Sequence, residues 1–264
     1  MDTFASPSAA YLLVTHGSRD PRPAVAAQTL ARRVCGQLSP KFGLPPLVET
    51  AALELQRLPL HRQIQALVDR AVRRQIRTIR VVPLFLLPGV HVMEDIPAEV
   101  ELAARHLDRH RYNLEISVQP YLGSHSGTIE LLAQDAATFK APEAKIVLSH
   151  GSRRPGGNQP IEEITEKLHR RCQIPVVAAY WSVAPSLEQR VRELVAAGYY
   201  RIEVLPYFLF PGRIVDAIGK QVAQLENQFP QTALHFAQPL GVSNRLAAIV
   251  TDLADRQLVG CHRK

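Results

Sequence analysis

The strongest constraint on the fold is an internal repeat. The segment YLLVTHGSRDPRP, which begins at Tyr11, returns as KIVLSHGSRRPGG, which begins at Lys145. Two further blocks recur in the same order: VVPLFLLPG (81–89) returns as VLPYFLFPG (204–212), and VQPYLG is echoed by AQPLG. Because both copies carry the same blocks, the chain is expected to contain two similar structural units.

Each copy alternates apolar strand-like runs with amphipathic segments. In the first copy, strands are predicted at YLLVT, LVETAALEL, TIRVVPLFL and LEISVQPYL. Helices are predicted over 60–74, over 96–110 and after Pro23, the last with one face made of Ala24, Val25, Ala27, Leu30, Ala31 and Val34. This order indicates an α/β fold of two tandem pseudo-symmetric modules, each a parallel sheet flanked by helices.

The repeat also predicts the domain boundaries. The first module spans 11–140 and carries the active site, and the second, degenerate module spans 144–258, with the junction near 139–143. A C-terminal helix over 244–257 is expected to close the second module. Residues 1–10 are predicted to be a disordered N-terminus, and 259–264 a tail.

Composition narrows the possible partners. No apolar run is long enough to cross a bilayer and the start lacks a signal-peptide pattern, so a cytoplasmic protein without a membrane partner is expected. Cys35, Cys172 and Cys261 are far apart and form no C-x-x-C pair, which indicates incidental thiols. The net charge of +7 favours an anionic partner, either nucleic acid or a polycarboxylated small molecule. No nucleic-acid-binding motif is recognisable, so nucleic acid is not expected.

Three residues with metal-binding side chains follow predicted strands of the first copy. His16 follows the first strand directly, Glu54 lies at the end of the second, and His91 comes two residues after Pro88-Gly89 beyond the third. Ligands of parallel sheets bind beyond the carboxyl ends of the strands, and the two modules are expected to face one cleft there. Imidazole and carboxylate groups suit a divalent ion, so a loosely held metal site is predicted.

The second copy serves as an internal comparison. His150 corresponds to His16, whereas Tyr180 or Trp181 is predicted to stand in the place of Glu54, and Ile214 in the place of His91. A single active site predicts one complete set of metal-binding residues in the first copy and one degenerate set in the second. A purely structural role for the duplicated histidine, kept by common ancestry, stays open.

The segments THGSRD, PLFLLPGVHVMEDIP and the repeated HGSR resemble the CbiX and SirB family of class II chelatases, over roughly residues 11–251. The resemblance implies sirohydrochlorin as substrate, with insertion of Fe²⁺ towards sirohaem or Co²⁺ towards cobalamin, and no permanently bound cofactor. It assigns the metal-site histidines to His16 and His91 and the acidic residue to Glu54. Long members contain both halves that short members assemble as a homodimer, so a monomer is expected.

On this interpretation, His16 and His91 hold the ion while Glu54, or one of the histidines, accepts the pyrrole protons. Basic groups at predicted cleft-edge turns would bind the carboxylates of the substrate. These substrate-binding candidates are Arg19, His150, Arg153, Arg154 and Arg213. The choice between iron and cobalt stays open.

Two other functions stay open as well. One is a non-catalytic tetrapyrrole or metal carrier, which would keep the fold without turnover. The other is phosphoryl transfer of the histidine-phosphatase kind, because a His-Gly-x-Arg turn follows a buried strand in both families. Histidine phosphatases usually have arginine before the histidine, whereas this chain has Thr15 and Ser149 there.

Overall fold

The computed structural model describes residues 9–39, 45–110, 113–134, 139 and 141–256. The described chain separates into two compact units: residues up to Thr128 with those from Val242 onwards, and Ile129 to Gly241. No described helix is long and apolar enough to cross a membrane. Cys35 and Cys172 are free, half-buried thiols. The predicted tail, Cys261 and most of the predicted disordered N-terminus lie outside the described residues.

The first unit contains a four-stranded parallel sheet of order β2-β1-β3-β4. Its strands are β1 (Ala10–Thr15), β2 (Leu47–Ala52), β3 (Thr78–Pro83) and β4 (Glu115–Val118). Its helices are α1 (Pro21–Leu38), α2 (Leu60–Arg73) and α3 (Ile96–His110), and a π-helical segment, His91–Asp95, runs directly into α3. A short 3-10 turn, Leu122–Ser124, precedes α4 (Gly127–Gln134), in which the boundary between the units falls.

The second unit repeats the arrangement with the order β6-β5-β7-β8. Its strands are β5 (Ala144–Ser149), β6 (Val176–Tyr180), β7 (Arg201–Pro206) and β8 (Ala233–Phe236). Its helices are α5 (Gln159–Cys172), α6 (Leu187–Ala196) and α7 (Arg213–Gln228), and the chain continues into α8 (Asn244–Asp255). The predicted α/β architecture, with two parallel sheets flanked by helices, is confirmed.

Both faces of β1 are buried, as a central parallel strand requires. Leu12 and Val14 pack in one apolar cluster with residues of α2 and α3. Tyr11 and Leu13, on the opposite face, are fully buried as well. This burial leaves the carboxyl ends of the strands, where the polar turns begin, as the accessible part of the sheet.

Several predicted boundaries shift. Helix α1 begins at Pro21 instead of after Pro23, because the side chain of Asp20 caps it by accepting from the Arg22 amide at 3.0 Å. A proline is tolerated in this first turn, where amides have no helical acceptor. Ala24 and Val25 are exposed, so their assignment to the buried face is wrong.

The N-terminal boundary also needs correction, since Ala9 is buried and Ala10 is the first residue of β1. The predicted disorder over 1–10 is therefore wrong for these two residues. Strands β2 and β3 end at Ala52 and Pro83, earlier than the apolar runs suggested. The residues that follow each strand form irregular loops, although the apolar pattern of the sequence continues into them.

Helix α8 corrects a second expectation, because it packs on the first unit rather than closing the second. Its apolar face is buried, and polar groups bind both of its ends. Arg33 and Gln37 of α1 donate to Asn244 at 2.5 and 3.0 Å, and Arg80 of β3 donates to the carbonyl of Ala254 at 2.7 Å. An amphipathic pattern predicts that one face of a helix is buried, but it does not predict which part of the protein covers that face.

The turn before α4 also binds α8. His125 accepts the Gly127 amide at Nδ1 (3.0 Å), so its Nε2 carries the proton and donates to Asp252 at 3.0 Å. Arg256 donates to the same carboxylate at 3.1 Å. The hydrogen bond from Arg256, followed by that from His125, holds the pKa of Asp252 below its usual value.

A buried ion pair lies within the second sheet. Lys145 of β5 and Glu203 of β7 are direct register partners, and the ammonium group of Lys145 donates to the Glu203 carboxylate. Their side chains are 5% and 0% exposed. Because a lone buried charge is costly, each side chain depends on the other.

Candidate metal site

His16 is positioned by a close approach of two backbone segments at the carboxyl ends of β1 and β2. The amide of Glu54 donates to the carbonyl of His16 at 2.9 Å. Gly17 follows with φ +103°, and a Cβ built there would lie only 2.1 Å from the Glu54 carbonyl oxygen. Glycine is therefore required at this turn, because any side chain would separate His16 from Glu54.

His91 reaches the same edge from beyond β3, as the first residue of the π-helical segment. Its ring meets the His16 ring edge-on, with centroids 4.7 Å apart. Phe85, in the loop after β3, supports both imidazoles, at 6.3 Å from His16 and 6.2 Å from His91. Because Phe85 also packs against the core of the first unit, it links the two rings to the rigid sheet.

His16, Glu54 and His91 thus come together as the sequence predicted. One ligand atom from each lies within 4.8 Å of the others, and Nδ1 of His16 is 4.0 Å from the Glu54 carboxylate. Donors bound tetrahedrally to one ion at about 2.0 to 2.2 Å are about 3.3 to 3.6 Å apart, so side-chain movements of about 1 Å would close the site. Among the described residues, no other group of three histidine, cysteine, aspartate or glutamate side chains brings its ligand atoms this close together.

The cluster is open to solvent. The side chains of His16, Glu54 and His91 are 52%, 49% and 34% exposed. Three protein ligands with free positions are typical of sites that exchange or act on a metal, whereas structural sites are closed by four. The arrangement can therefore take up a divalent ion and leave free coordination positions for water or a substrate.

Asp95 contacts the cluster from the far end of the π-helical segment. Its carboxylate lies 2.7 Å from Nδ1 of His91. Asp95 belongs to the segment PLFLLPGVHVMEDIP, and the sequence alone assigned it no role at the site. The signal was present in the spacing, because residues four apart on a helix face each other.

The candidate substrate-binding residues are all exposed, and the structure leaves their roles as predictions. Arg19 follows His16 in the first unit, whereas His150, Arg153 and Arg213 belong to the second. The Nδ1 of His150 lies 3.1 Å from the Gly151 carbonyl and 3.5 Å from the Ser182 hydroxyl. These contacts orient the ring within its own turn.

The second unit shows which residue replaces Glu54. The amide of Ser182 donates to the carbonyl of His150 at 2.9 Å, as the amide of Glu54 does to His16. Ser182 is therefore the counterpart of Glu54, and the prediction of Tyr180 or Trp181 is wrong by one or two positions. Tyr180 is the last residue of β6, and its side chain is buried. The carboxylate is absent from this position, as predicted.

Two parallel four-stranded sheets, with an exposed His-Glu-His cluster at the carboxyl edge of one, define a duplicated α/β protein with a candidate metal site. The sequence model of the CbiX family matches the chain twice, over residues 10–138 and 144–257. The protein therefore belongs to the CbiX family. The second match includes α8, so this helix belongs to the second copy in sequence although it packs on the first unit.

Individual relatives cover nearly the whole chain. A sirohydrochlorin cobaltochelatase of Priestia megaterium is 26% identical over 94% of this chain and 80% of its own length. A sirohydrochlorin ferrochelatase of the same organism is 25% identical over 92% and 88%. The solved structure of SirB from Bacillus subtilis with Fe³⁺ has a TM-score of 0.76 at 21% identity, covering 94% of each chain. The structural likeness establishes the fold.

Proposed function

We propose that this protein is a sirohydrochlorin chelatase that inserts Co²⁺ or Fe²⁺ into the macrocycle at the His16, Glu54 and His91 cluster. The observation that carries the proposal is the convergence of these three ligands, from three strand ends, within 4.8 Å. The proposal agrees with the names of the Priestia megaterium relatives. Cobalt and iron are substrates here, and the protein needs no resident cofactor.

The open coordination suits an ion that must leave again. His16 and His91 present imidazoles, which bind Fe²⁺ and Co²⁺ well, and Glu54 adds one hard oxygen ligand. With water completing the coordination shell, the ion can exchange protein ligands for pyrrole nitrogens in steps. A closed four-ligand site would hold the metal too tightly for transfer.

Insertion also requires a base. The divalent ion replaces the two pyrrole N–H protons, so two protons leave for each metal that enters. Glu54, whose carboxylate is 49% exposed and 4.0 Å from His16, is placed to accept them and return them to water. General-base assistance of this kind is typically worth about 10² to 10⁴ in rate.

Apolar and basic side chains close in sequence to the three ligands suit an acidic macrocycle. Leu55, next to Glu54, and Met93, two residues after His91, are 54% and 65% exposed, and they offer apolar surface to the flat ring. Arg19, an exposed residue three positions after His16, offers a guanidinium group. We assign His150, Arg153 and Arg213 of the second copy to the peripheral carboxylates, in keeping with the net charge of +7.

The duplication supports a monomer as the working form, because one chain supplies both copies of the repeat. The proposal also places the protein in the cytoplasm, without nucleic acid or membrane partners.

Absorbance spectroscopy tests the proposal. Purified protein is mixed with a large molar excess of sirohydrochlorin and Co²⁺ or Fe²⁺, and loss of the metal-free spectrum is followed against the uncatalysed rate. Many turnovers per protein molecule are expected. A change that stops at one equivalent would favour a carrier, and no acceleration with either metal would refute chelatase activity. Competition between the two metals then decides which one is preferred.

A further inference from the structure

We propose that Asp95 is a positioning residue, which orients the His91 ring and selects the tautomer in which Nε2 is the atom that binds the metal. The inference rests on the proposed function, because it assumes that His91 is a metal ligand. It adds a residue outside the three-ligand cluster, with a role that acts through His91 alone.

The geometry specifies which nitrogen carries the proton. The Asp95 carboxylate lies 2.7 Å from Nδ1 of His91. An ionised carboxylate only accepts hydrogen bonds, so Nδ1 is the donor, and Nε2 of the neutral ring keeps its lone pair. The edge-on contact with His16 and the neighbouring Phe85 ring restrict the same imidazole from other sides. The ring is thus held with its metal-binding nitrogen unprotonated.

A local insertion in the first copy builds this pair. Gly89 and Gly212 are counterparts, and so are the fully buried Ile96 and Ile218, yet the first copy has one residue more between them. The extra residue is accommodated by the π-helical turn, in which the Ile96 amide donates to the carbonyl five residues earlier, that of His91. Single π-helical turns are frequent at functional sites.

The second copy has neither the insertion nor the pair. Helix α7 begins directly at Arg213, and the counterpart of His91 is Ile214. The π-helical turn, the histidine and its carboxylate partner therefore occur together in the copy with the complete ligand set. A carboxylate needed only to stabilise the start of a helix would not require the extra residue.

The Asp95 carboxylate is expected to raise the affinity of His91 for the metal. A carboxylate that accepts from the second nitrogen of a metal-binding imidazole fixes the ring and makes the ligand nitrogen a better electron donor. Removing such a partner typically costs about 10- to 100-fold in metal affinity or activity. A role confined to the helix start would change the stability of α3 and leave the preferred tautomer of His91 unaltered.

The experiment compares Asp95→Ala, Asp95→Asn and Glu94→Gln in the full chain. Glu94 is the adjacent exposed acid, so its replacement removes the same charge one residue away. Co²⁺ affinity is measured by titration of the cobalt absorption bands, and the protonation of His91 in the metal-free protein by long-range ¹H–¹⁵N NMR, with His91→Ala identifying the signal. Thermal melts check that each variant is folded.

Asp95→Ala is expected to weaken Co²⁺ binding about 10- to 100-fold and to move the proton of His91 towards Nε2, while Glu94→Gln stays within about twofold of the original protein. Asp95→Asn, whose amide oxygen still accepts a hydrogen bond, is expected to fall between them. If Asp95→Ala kept the Co²⁺ affinity of the original protein, or if Glu94→Gln lost as much affinity as Asp95→Ala, the role of Asp95 would be refuted while the proposed metal site would stand. Wild-type affinity in His91→Ala would overturn the proposed metal site and the inference with it.

Discussion

Replacing Gly17 with alanine should separate the effect of site geometry from that of fold stability. Gly17 has φ +103°, and an added Cβ would lie 2.1 Å from the carbonyl oxygen of Glu54, where ordinary contacts begin at 3.4 Å. The backbone would have to open by about 1 Å, and a displacement of this size at a reacting centre costs on the order of 10²-fold in rate. The unfavourable φ adds a cost of about 1 to 3 kcal/mol to folding.

The second copy provides the matched control. Gly151 follows His150 as Gly17 follows His16, with φ +83°, and a Cβ there would lie 2.8 Å from side-chain atoms of Tyr180 and Val183. Gly151→Ala should therefore destabilise the protein to a similar degree. It should leave Co²⁺ affinity unchanged, because among the described residues only the first copy brings three metal-binding side chains together.

The assay combines urea unfolding with Co²⁺ titration for both variants. Gly17→Ala is expected to lose on the order of 10- to 100-fold in Co²⁺ affinity, like the loss of an outer-shell partner, whereas Gly151→Ala loses stability alone. Wild-type affinity in Gly17→Ala, despite a measurable loss of stability, would refute the argument that this glycine holds His16 against Glu54. Equal losses of affinity in the two variants would refute the assignment of the site to the first copy.

Two further predictions concern stability. Lys145→Met leaves Glu203 buried without its cation and should cost about 3 to 5 kcal/mol in urea unfolding, while the double replacement Lys145→Met/Glu203→Leu should recover most of that loss; no recovery would contradict the pairing. Asp252→Asn should lower the melting temperature at pH 7 and progressively less as the pH falls below 3.8, because a depressed pKa contributes stability above that ordinary value that is lost as the pH falls through the lower folded-state value. A lowering that stays the same as the pH falls would contradict this origin.

The sequence was most informative where one pattern determines the structure. The spacing of apolar residues located α3 at its observed bounds, Ile96–His110, and the repeat predicted two similar sheets. The positions of His16 and His91 after apolar strands were enough to place both at one sheet edge, because parallel strands end together. The same argument placed Glu54 at that edge.

The misplaced features depend on contacts that no local pattern encodes. Ser182 is the counterpart of Glu54 because of a backbone hydrogen bond to His150, whereas alignment of the letters pointed to Tyr180 or Trp181. The packing of α8 on the first unit depends on which surface its apolar face meets. The contact between Asp95 and His91 agrees with their four-residue spacing, but the π-helical turn that holds the pair was not predicted.

The central claim is a single asymmetric metal site, and initial rates of Co²⁺ insertion into sirohydrochlorin by His16→Ala, His91→Ala and His150→Ala test it most directly. The first two variants should lose at least about 100-fold in rate while keeping the melting temperature of the original protein, because removing a ligand should cost no less than the roughly 10- to 100-fold typical of removing an outer-shell partner. His150→Ala should be much milder, since its copy lacks the other two ligands. Equal losses in all three variants would contradict a single site in the first copy.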